Sequence, residues 1–419
     1  MLACSLGSLK PFDYIYYPKG KVAEGYKCPK GKVPEGYNTN MNMPKMPAPI
    51  VVESEESFNR MLTDLTKQPA VAVDTESNSL HAYQERVCLI QISTREQDYL
   101  VDTLAIRSLE PLGEIFSNSA IQKVFHAGDY DLTCLKRDYA FTFANYFDTS
   151  IAAAAVGEEN LGLSTLLAKY FGFSVDKKYQ RADWGRRPLD AEMLRYAQSD
   201  SHFLLPLRDR LLPFLKSTGR LSLVLEDCAA LAQQTPPMKN HREDVWRVKG
   251  INGMKPRALS LLQQLNHLRE ELAREQDVPL FKVMSDAALV EIATTQPKHI
   301  QELDLLPSLS KSQVRRYGKQ IMQTVSDWRK SSEKLTRPRA QYIDESIQRR
   351  RELLGDWRKQ VAQKERLSSS VILPKDLLES IAAQPIKNKA ELEQAMQASP
   401  TRFAVYGEEL LEILRKESE

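Results

Sequence analysis

Short apolar, β-branched stretches punctuate the first half of the chain. Ala70-Val71-Ala72-Val73 runs into Asp74-Thr75-Glu76, and similar stretches recur near 87–93, 98–102, 121–126 and 143–147. Their length and composition predict strands. Helical spacing of apolar residues predicts helices near 105–117, 131–138, 149–156, 163–171 and 190–212. Pro206 stands inside the last of these and predicts a kink or an early end. Three strands followed by alternation of strand and helix predict an α/β unit, a mixed sheet flanked by helices. Between Phe173 and Pro188 the chain is polar and aromatic without clear period, which predicts a loop.

From 221 onward the pattern is helical, and it repeats. Leu268-Arg269, Ala273, Leu289, Ile292-Ala293 and Tyr317-Gly318 return 89 positions later as Trp357-Arg358, Ala362, Leu378, Ile381-Ala382 and Tyr406-Gly407. A period this long predicts two copies of a small helical domain rather than a solenoid unit. The first ~50 residues hold a short repeat, Pro18–Tyr26 and Pro29–Tyr37, rich in Gly, Pro and Lys, a composition that favours turns over a packed core. Gly25 to Lys32 does not make a phosphate loop: the glycine spacing is one residue too long, and Val33 stands where Ser or Thr would bind magnesium. The expected organisation is an extension over 1–50, an α/β domain over 51–220, and two helical domains over 221–335 and 336–419.

Three short blocks carry the chemistry. On a strand, Asp74 and Glu76 point to one face, and alternation sends Val73 and Thr75 to the other. The block His126-Ala127-Gly128-Asp129-Tyr130-Asp131 ends a strand and opens a helix. A helix-capping role fits Asp129 better than Asp131, but spacing alone leaves the choice open. Tyr196 and Asp200 are four apart and share one helix face. Carboxylates gathered without matching cations call for a divalent metal. Two such ions, about 3.5–4 Å apart, are the device for in-line attack on a phosphodiester. A phenol, with an ordinary pKa near 10, suits orienting a water better than acting as a strong base.

Charge and cysteine usage refine the picture. The formal net charge is only +3, so the chain is no polycation. From Lys311 to Arg351, however, there are 12 basic residues and 4 acids, among them Arg315, Arg316, Lys319, Arg329, Lys330 and Arg349–Arg351. Such a concentration attracts a phosphate backbone. The five cysteines are too scattered for a zinc knuckle and predict a reducing, cytoplasmic setting. No run approaches the apolar length of a membrane span.

The segment from Asp74 to Leu207 resembles ribonuclease D and the wider DEDD superfamily of 3′-5′ exonucleases, whose domain has a ribonuclease H-like fold. Asp74-Thr-Glu-Ser-Asn-Ser-Leu80 with Val87–Ser93 is similar to the first exonuclease motif. Lys123–Leu132 is similar to the second, and there the resemblance assigns the metal-binding acid to Asp131. Gln180-Arg-Ala-Asp-Trp184, Arg187-Pro-Leu189 and Tyr196–Asp200 are similar to the third. Tyr at 196 and Arg at 195 mark the tyrosine subclass. The resemblance implies that Asp74, Glu76, Asp131 and Asp200 hold two divalent ions, Mg²⁺ with Mn²⁺ as a substitute, and that Tyr196 bonds the attacking water. His126, Gln180, Trp184, Arg315 and Arg316 become candidate substrate contacts; for Trp184 the choices are base stacking or burial against the last helix. The two helical repeats resemble the helicase-and-ribonuclease-D C-terminal (HRDC) domain, the second copy being the more divergent.

The implied activity is release of nucleoside 5′-monophosphates from RNA. The implied substrates are tRNA precursors and other small structured RNAs. No membrane and no obligate protein partner are called for. A DNA exonuclease, a non-catalytic RNA-binding factor and a helicase accessory fragment are the competing readings.

Overall fold

The computed structural model describes residues 46–174, 178–235, 245–337 and 344–415. The 18–37 repeat and the Gly25–Lys32 stretch lie outside the described residues.

The first unit builds a six-stranded sheet. In chain order its elements are β1 (Ile50–Val52), α1 (Glu55–Leu65), β2 (Ala70–Ser77), β3 (Val87–Ser93), β4 (Asp98–Asp102), α2 (Glu110–Ser117), β5 (Gln122–Phe125), α3 (Asp129–Tyr139), β6 (Tyr146–Asp148), α4 (Thr149–Val156), α5 (Leu163–Phe171), α6 (Ala191–His202), α7 (Leu204–Ser217) and α8 (Leu221–Gln233). The strand order is β1-β4-β3-β2-β5-β6. The β2–β3 and β3–β4 pairs are antiparallel; β1–β4, β2–β5 and β5–β6 are parallel. β2 is thus a central strand, covered on both sides, and its apolar half Ala70–Val73 is buried throughout.

The five expected strands are present, with boundaries shifted by up to three residues. β1 and α1 were not expected; the three residues of β1 are too few to show a period. Ser54 and Ser57 open α1 with a reciprocal capping box. α2 begins at Glu110 rather than 105, with Pro111 in its first turn, where a missing N–H costs nothing. The single helix expected over 190–212 is two, α6 and α7, meeting at Phe203. Pro206 falls in the first turn of α7, so the break comes just ahead of it.

The helical half follows the repeat closely. The first copy is α9 (Pro256–Glu275), α10 (Leu280–Val283), α11 (Asp286–Thr295), α12 (Ile300–Leu303) and α13 (Lys311–Lys330). The second is α14 (Glu345–Glu365), α15 (Ser369–Ile372), α16 (Lys375–Ala382), α17 (Lys389–Ala395) and α18 (Pro400–Arg415). Every helix of the second copy starts 89 positions after its counterpart. Each copy closes its own core, around Leu265, Ile292 and Ile321 in one and Leu354, Ile381 and Leu410 in the other. Equivalent arginines do equivalent work: Arg269 donates to the Met284 carbonyl at 3.2 Å, and Arg358 to that of Leu373 at 2.8 Å. No described helix is long and apolar enough to cross a membrane.

α8 packs with the sheet. Its Val224, Cys228 and Ala232 enter the main core beside Val124 and Phe147, although the sequence pattern grouped this helix with the helical half. The second copy docks on α8. Arg402, fully buried, donates to Glu226 at 2.9 Å and to both oxygens of Asp227 at 2.7 and 2.8 Å. Val371 and Leu367 join the main core at the same junction. The first copy touches the loop after β2, where the Tyr83 hydroxyl donates to Glu270 at 2.8 Å.

Candidate active site

Asp74 and Glu76 occupy the carboxyl-terminal half of β2. Asp74 is paired with Gln91 and Glu76 with Leu89, so all four side chains leave one face of the sheet. α6 packs against β2, β3 and β4. It brings Asp200 to the strand: one carboxylate oxygen from each of Asp74, Glu76 and Asp200 lies within 4.8 Å of the others. Tyr196, one turn earlier on α6, packs against a small apolar cluster of Cys88, Leu89, Leu100, Trp184 and Ala197.

Asp131 stands slightly apart from this trio. It is buried in the first turn of α3, and its carboxylate accepts a short hydrogen bond from the Thr75 hydroxyl. Thr75 does leave the opposite face of β2, paired with Ile90. That is why it can reach an acid presented from the next layer. The turn that delivers Asp131 is tightly specified. Asp148, fully buried at the start of α4, accepts from the backbone N–H of Ala127 at 3.0 Å and of Gly128 at 2.9 Å. Tyr146 donates to the same carboxylate at 2.7 Å. A Cβ on Gly128 would lie 2.8 Å from Phe125 Cβ and from the Tyr146 hydroxyl, so only glycine fits.

The electrostatics state the same convergence. Burial, then Asp131, Asp200 and Glu76, push Asp74 well above the usual carboxylate range. Burial, then Asp200 and Asp131, do the same for Glu76. Burial raises Asp131 to about 6, and burial with Asp131 raises Asp200 to about 7. Four acids thus face one another recessed from water, and the charges that dominate at Asp74, Glu76 and Asp200 are negative. An all-oxygen donor set of this kind suits a hard divalent cation, which would discharge the mutual repulsion.

The candidate substrate contacts are scattered. His126 is half-buried at the mouth of the turn, with Nδ1 2.9 Å from the Thr149 hydroxyl, and burial lowers its pKa. Gln180 is exposed on the loop before α6. Trp184 is 1% exposed, its ring centroid 6.1 Å from that of Tyr196. Base stacking by Trp184 is therefore excluded in this conformation; an indole gains more by filling the apolar gap under α6 than by standing in water. Arg315 and Arg316 are exposed on α13, with the Arg316 guanidinium 5.4 Å from the Tyr317 ring. The basic stretch is thinner than its sequence suggests. Arg350 is buried on the Ala382 carbonyl, Arg351 pairs with Glu379, and Arg329 bonds the Gln296 and Pro297 carbonyls. Intervening sequence separates these partners, so counting charge could not reveal them.

Sequence reading missed Thr75, Asp148 and Asp102. Asp148 and Asp102 stand at strand ends outside any motif, and alternation, which turns Thr75 to the other face of β2, sets that residue aside.

The sheet thus carries acids on its central strand and on the helices flanking it. Residues 49–216 match the 3′-5′ exonuclease domain family, and residues 258–325 and 348–414 each match the HRDC domain family. The chain is 33% identical over 295 residues to the exosome complex exonuclease RRP6 of Saccharomyces cerevisiae, covering 67% of this chain and 40% of that protein. It is 30% identical to the ribonuclease D of Acidiphilium cryptum, covering 64% of this chain and 68% of the relative. Among solved structures, the catalytic core of RRP6 from Trypanosoma brucei superposes with a TM-score of 0.61 at 30% identity, over 69% of this chain and 84% of that one. Escherichia coli RNase D shares the fold, with a TM-score of 0.63 at 24% identity over 88% of this chain and 99% of that one.

The chain belongs to the ribonuclease D family. Its acidic cluster is of the kind that holds a divalent metal.

Proposed function

We propose that this protein is a metal-dependent 3′-5′ exoribonuclease that releases nucleoside 5′-monophosphates and trims the 3′ ends of tRNA precursors and other small structured RNAs in the cytoplasm. The observation that carries the reading is the convergence of Asp74, Glu76 and Asp200 within 4.8 Å at the end of the central strand. Family membership directs that convergence toward phosphodiester hydrolysis.

Asp74, Glu76, Asp200 and Asp131 would hold two ions, Mg²⁺ with Mn²⁺ as a substitute. Such ions, when bound, lower the pKa of a water and stabilise the leaving oxygen. Tyr196 orients the attacking water from one turn ahead of Asp200. Thr75 and Asp148 fix Asp131 for its part: one bonds its carboxylate, the other ties the turn that presents it. Gln180 and His126, on the loop before α6 and at the turn before α3, contact the RNA strand. Arg315 and Arg316 on the exposed side of α13 contact a more distant phosphate backbone, a role that makes binding salt-sensitive. The second HRDC copy serves as a dock, since its Arg402 is committed to α8.

The test is degradation of matched 3′-extended tRNA and single-stranded DNA by the purified protein with Mg²⁺, Mn²⁺ or EDTA. Metal-dependent release of 5′-mononucleotides from RNA, with DNA spared, is expected. Equal decay of DNA would move the assignment to a DNA exonuclease. RNA binding without cleavage would make the protein a binding factor.

A further inference from the structure

The loop between Lys178 and Asp190 has no secondary structure of its own to hold it in place, yet Trp184 within it is buried. One side chain ties the loop to the sheet. Arg187 grips Asp102, at the end of β4, with Nε at 2.5 Å and Nη2 at 2.7 Å from the two carboxylate oxygens. Nη2 also reaches the Cys88 carbonyl on β3 at 2.9 Å. Nη1 turns back to the loop's own backbone, donating to the carbonyls of Trp184 at 2.7 Å and Arg186 at 2.9 Å. All the donors named thus bind either the sheet or the peptide that carries Trp184. A guanidinium has the fixed fork this needs, and an ammonium does not.

Asp102 leaves the same face of the sheet as Asp74 and Glu76, through the pairings Asp102 to Leu89 and Leu89 to Glu76. Burial would raise its pKa, but the Arg187 guanidinium and the backbone N–H groups of Leu104 and Ala105 together hold the carboxyl below its ordinary value. The product of this brace is the wall behind Tyr196. The Trp184 ring lies 6.1 Å from Tyr196, and the Tyr179 ring of the same loop lies 5.9 Å away on a different tilt.

We propose that Arg187, locked by Asp102, is a positioning residue for the nuclease reaction: it clamps the 178–190 loop to β3 and β4 so that Trp184 holds the Tyr196 ring in register with Asp200. The inference rests on the reading of Tyr196 as the residue that orients the attacking water. Arg187 bonds the Asp102 carboxylate and the backbone carbonyls of Cys88, Trp184 and Arg186, and on this account it does not touch the RNA.

The experiment is a double-mutant cycle on the full chain with a short RNA oligonucleotide, combining Arg187→Lys with Tyr196→Phe, and Asp102→Asn as a second way to loosen the brace. A misplacement of about 1 Å can cost on the order of 100-fold in rate. Arg187→Lys should accordingly lower kcat by roughly 10- to 100-fold while KM stays within about twofold. In the Tyr196→Phe background the same substitution should cost less than about twofold, because the group it positions is gone. In parallel, 3-fluorotyrosine placed at 196 should show a shifted or broadened ¹⁹F resonance in Arg187→Lys, at unchanged circular dichroism.

Additive losses in the cycle would overturn the proposal. So would a raised KM at unchanged kcat, which would make the loop a substrate contact. An inactive wild type, or a Tyr196→Phe enzyme as fast as wild type, would instead count against the proposed function. The ¹⁹F resonance then decides the brace by itself, and a resonance unmoved by both Arg187→Lys and Asp102→Asn overturns it.

Discussion

Asp200 illustrates how much of the site's character is set by position rather than by residue type. An aspartate on an exposed helix face ionises near 4. Here burial and the facing Asp131 raise it to about 7, with Asp131 itself at about 6. Without metal, the folded protein therefore holds protons between pH 4 and 7 that the unfolded chain has released. Where the native state binds more protons than the unfolded state, stability falls as pH rises. Melting of EDTA-treated protein should show a midpoint that declines from pH 5 to pH 8, and Mg²⁺ should flatten that decline. Asp200→Asn should abolish turnover and raise the metal-free unfolding free energy at pH 8 by an amount on the order of 1 kcal/mol, seen as a higher midpoint. A metal-free midpoint that rises with pH would mean that the carboxylates do not face one another. The sequence pointed to the acids that converge but not to these shifts, because burial and distance belong to the folded state.

At the scale of elements, the junction between β5 and α3 is the most constrained. Its backbone turns through Ala127 at φ 52°, and Gly128 packs directly on Phe125 and Tyr146. Gly128→Ala would force those rings apart or tilt α3. The expected cost is about 1–3 kcal/mol of stability. A fall in metal affinity should accompany it, as Asp131 moves away from Asp74. Calorimetric titration with Mn²⁺ beside a denaturation curve separates the two effects; unchanged affinity would show that Asp131 tolerates the shift. The glycine was visible in sequence as a break in the pattern. Its physical reason is Phe125 just before it together with the Tyr146 ring and the Asp148 carboxylate, which close on the turn from about 20 residues further on. The same limit explains Trp184. A tryptophan in a polar loop allows both stacking and burial, and only the packing of α6 selects one.

For the whole molecule, the divergence of the second HRDC copy has a structural reading. Position 313 in the first copy is glutamine, and its amide donates to the Val283 carbonyl at 2.8 Å. Its counterpart, 89 positions on, is Arg402, which bonds the equivalent Ile372 carbonyl at 3.2 Å and extends to Glu226 and Asp227 on α8. One substitution keeps the internal bond and adds a dock. Removing one partner from a buried ion cluster costs about 3–5 kcal/mol, mostly by stranding the other charges. Arg402→Ala should thus release the second copy from α8, read as a separate low-temperature transition. Cleavage of a short oligonucleotide should persist. Arg402→Met combined with Asp227→Asn should lose less, since fewer charges are stranded. A single unshifted transition in Arg402→Ala would show that the dock depends on Val371 and Leu367 instead.

The sequence by itself determined the class of fold, the acidic blocks and the helical repeat. Those features rest on local periodicity, on acids at strand and helix ends, and on self-similarity at a fixed offset, all readable within one chain. Tertiary structure alone decided which acids meet and how closely, that α8 belongs to the sheet, that Arg350, Arg351 and Arg402 serve packing rather than phosphate, and that Arg187 braces the loop behind Tyr196. Each of these depends on partners far apart in the chain, and their proximity is fixed only when the core closes around them.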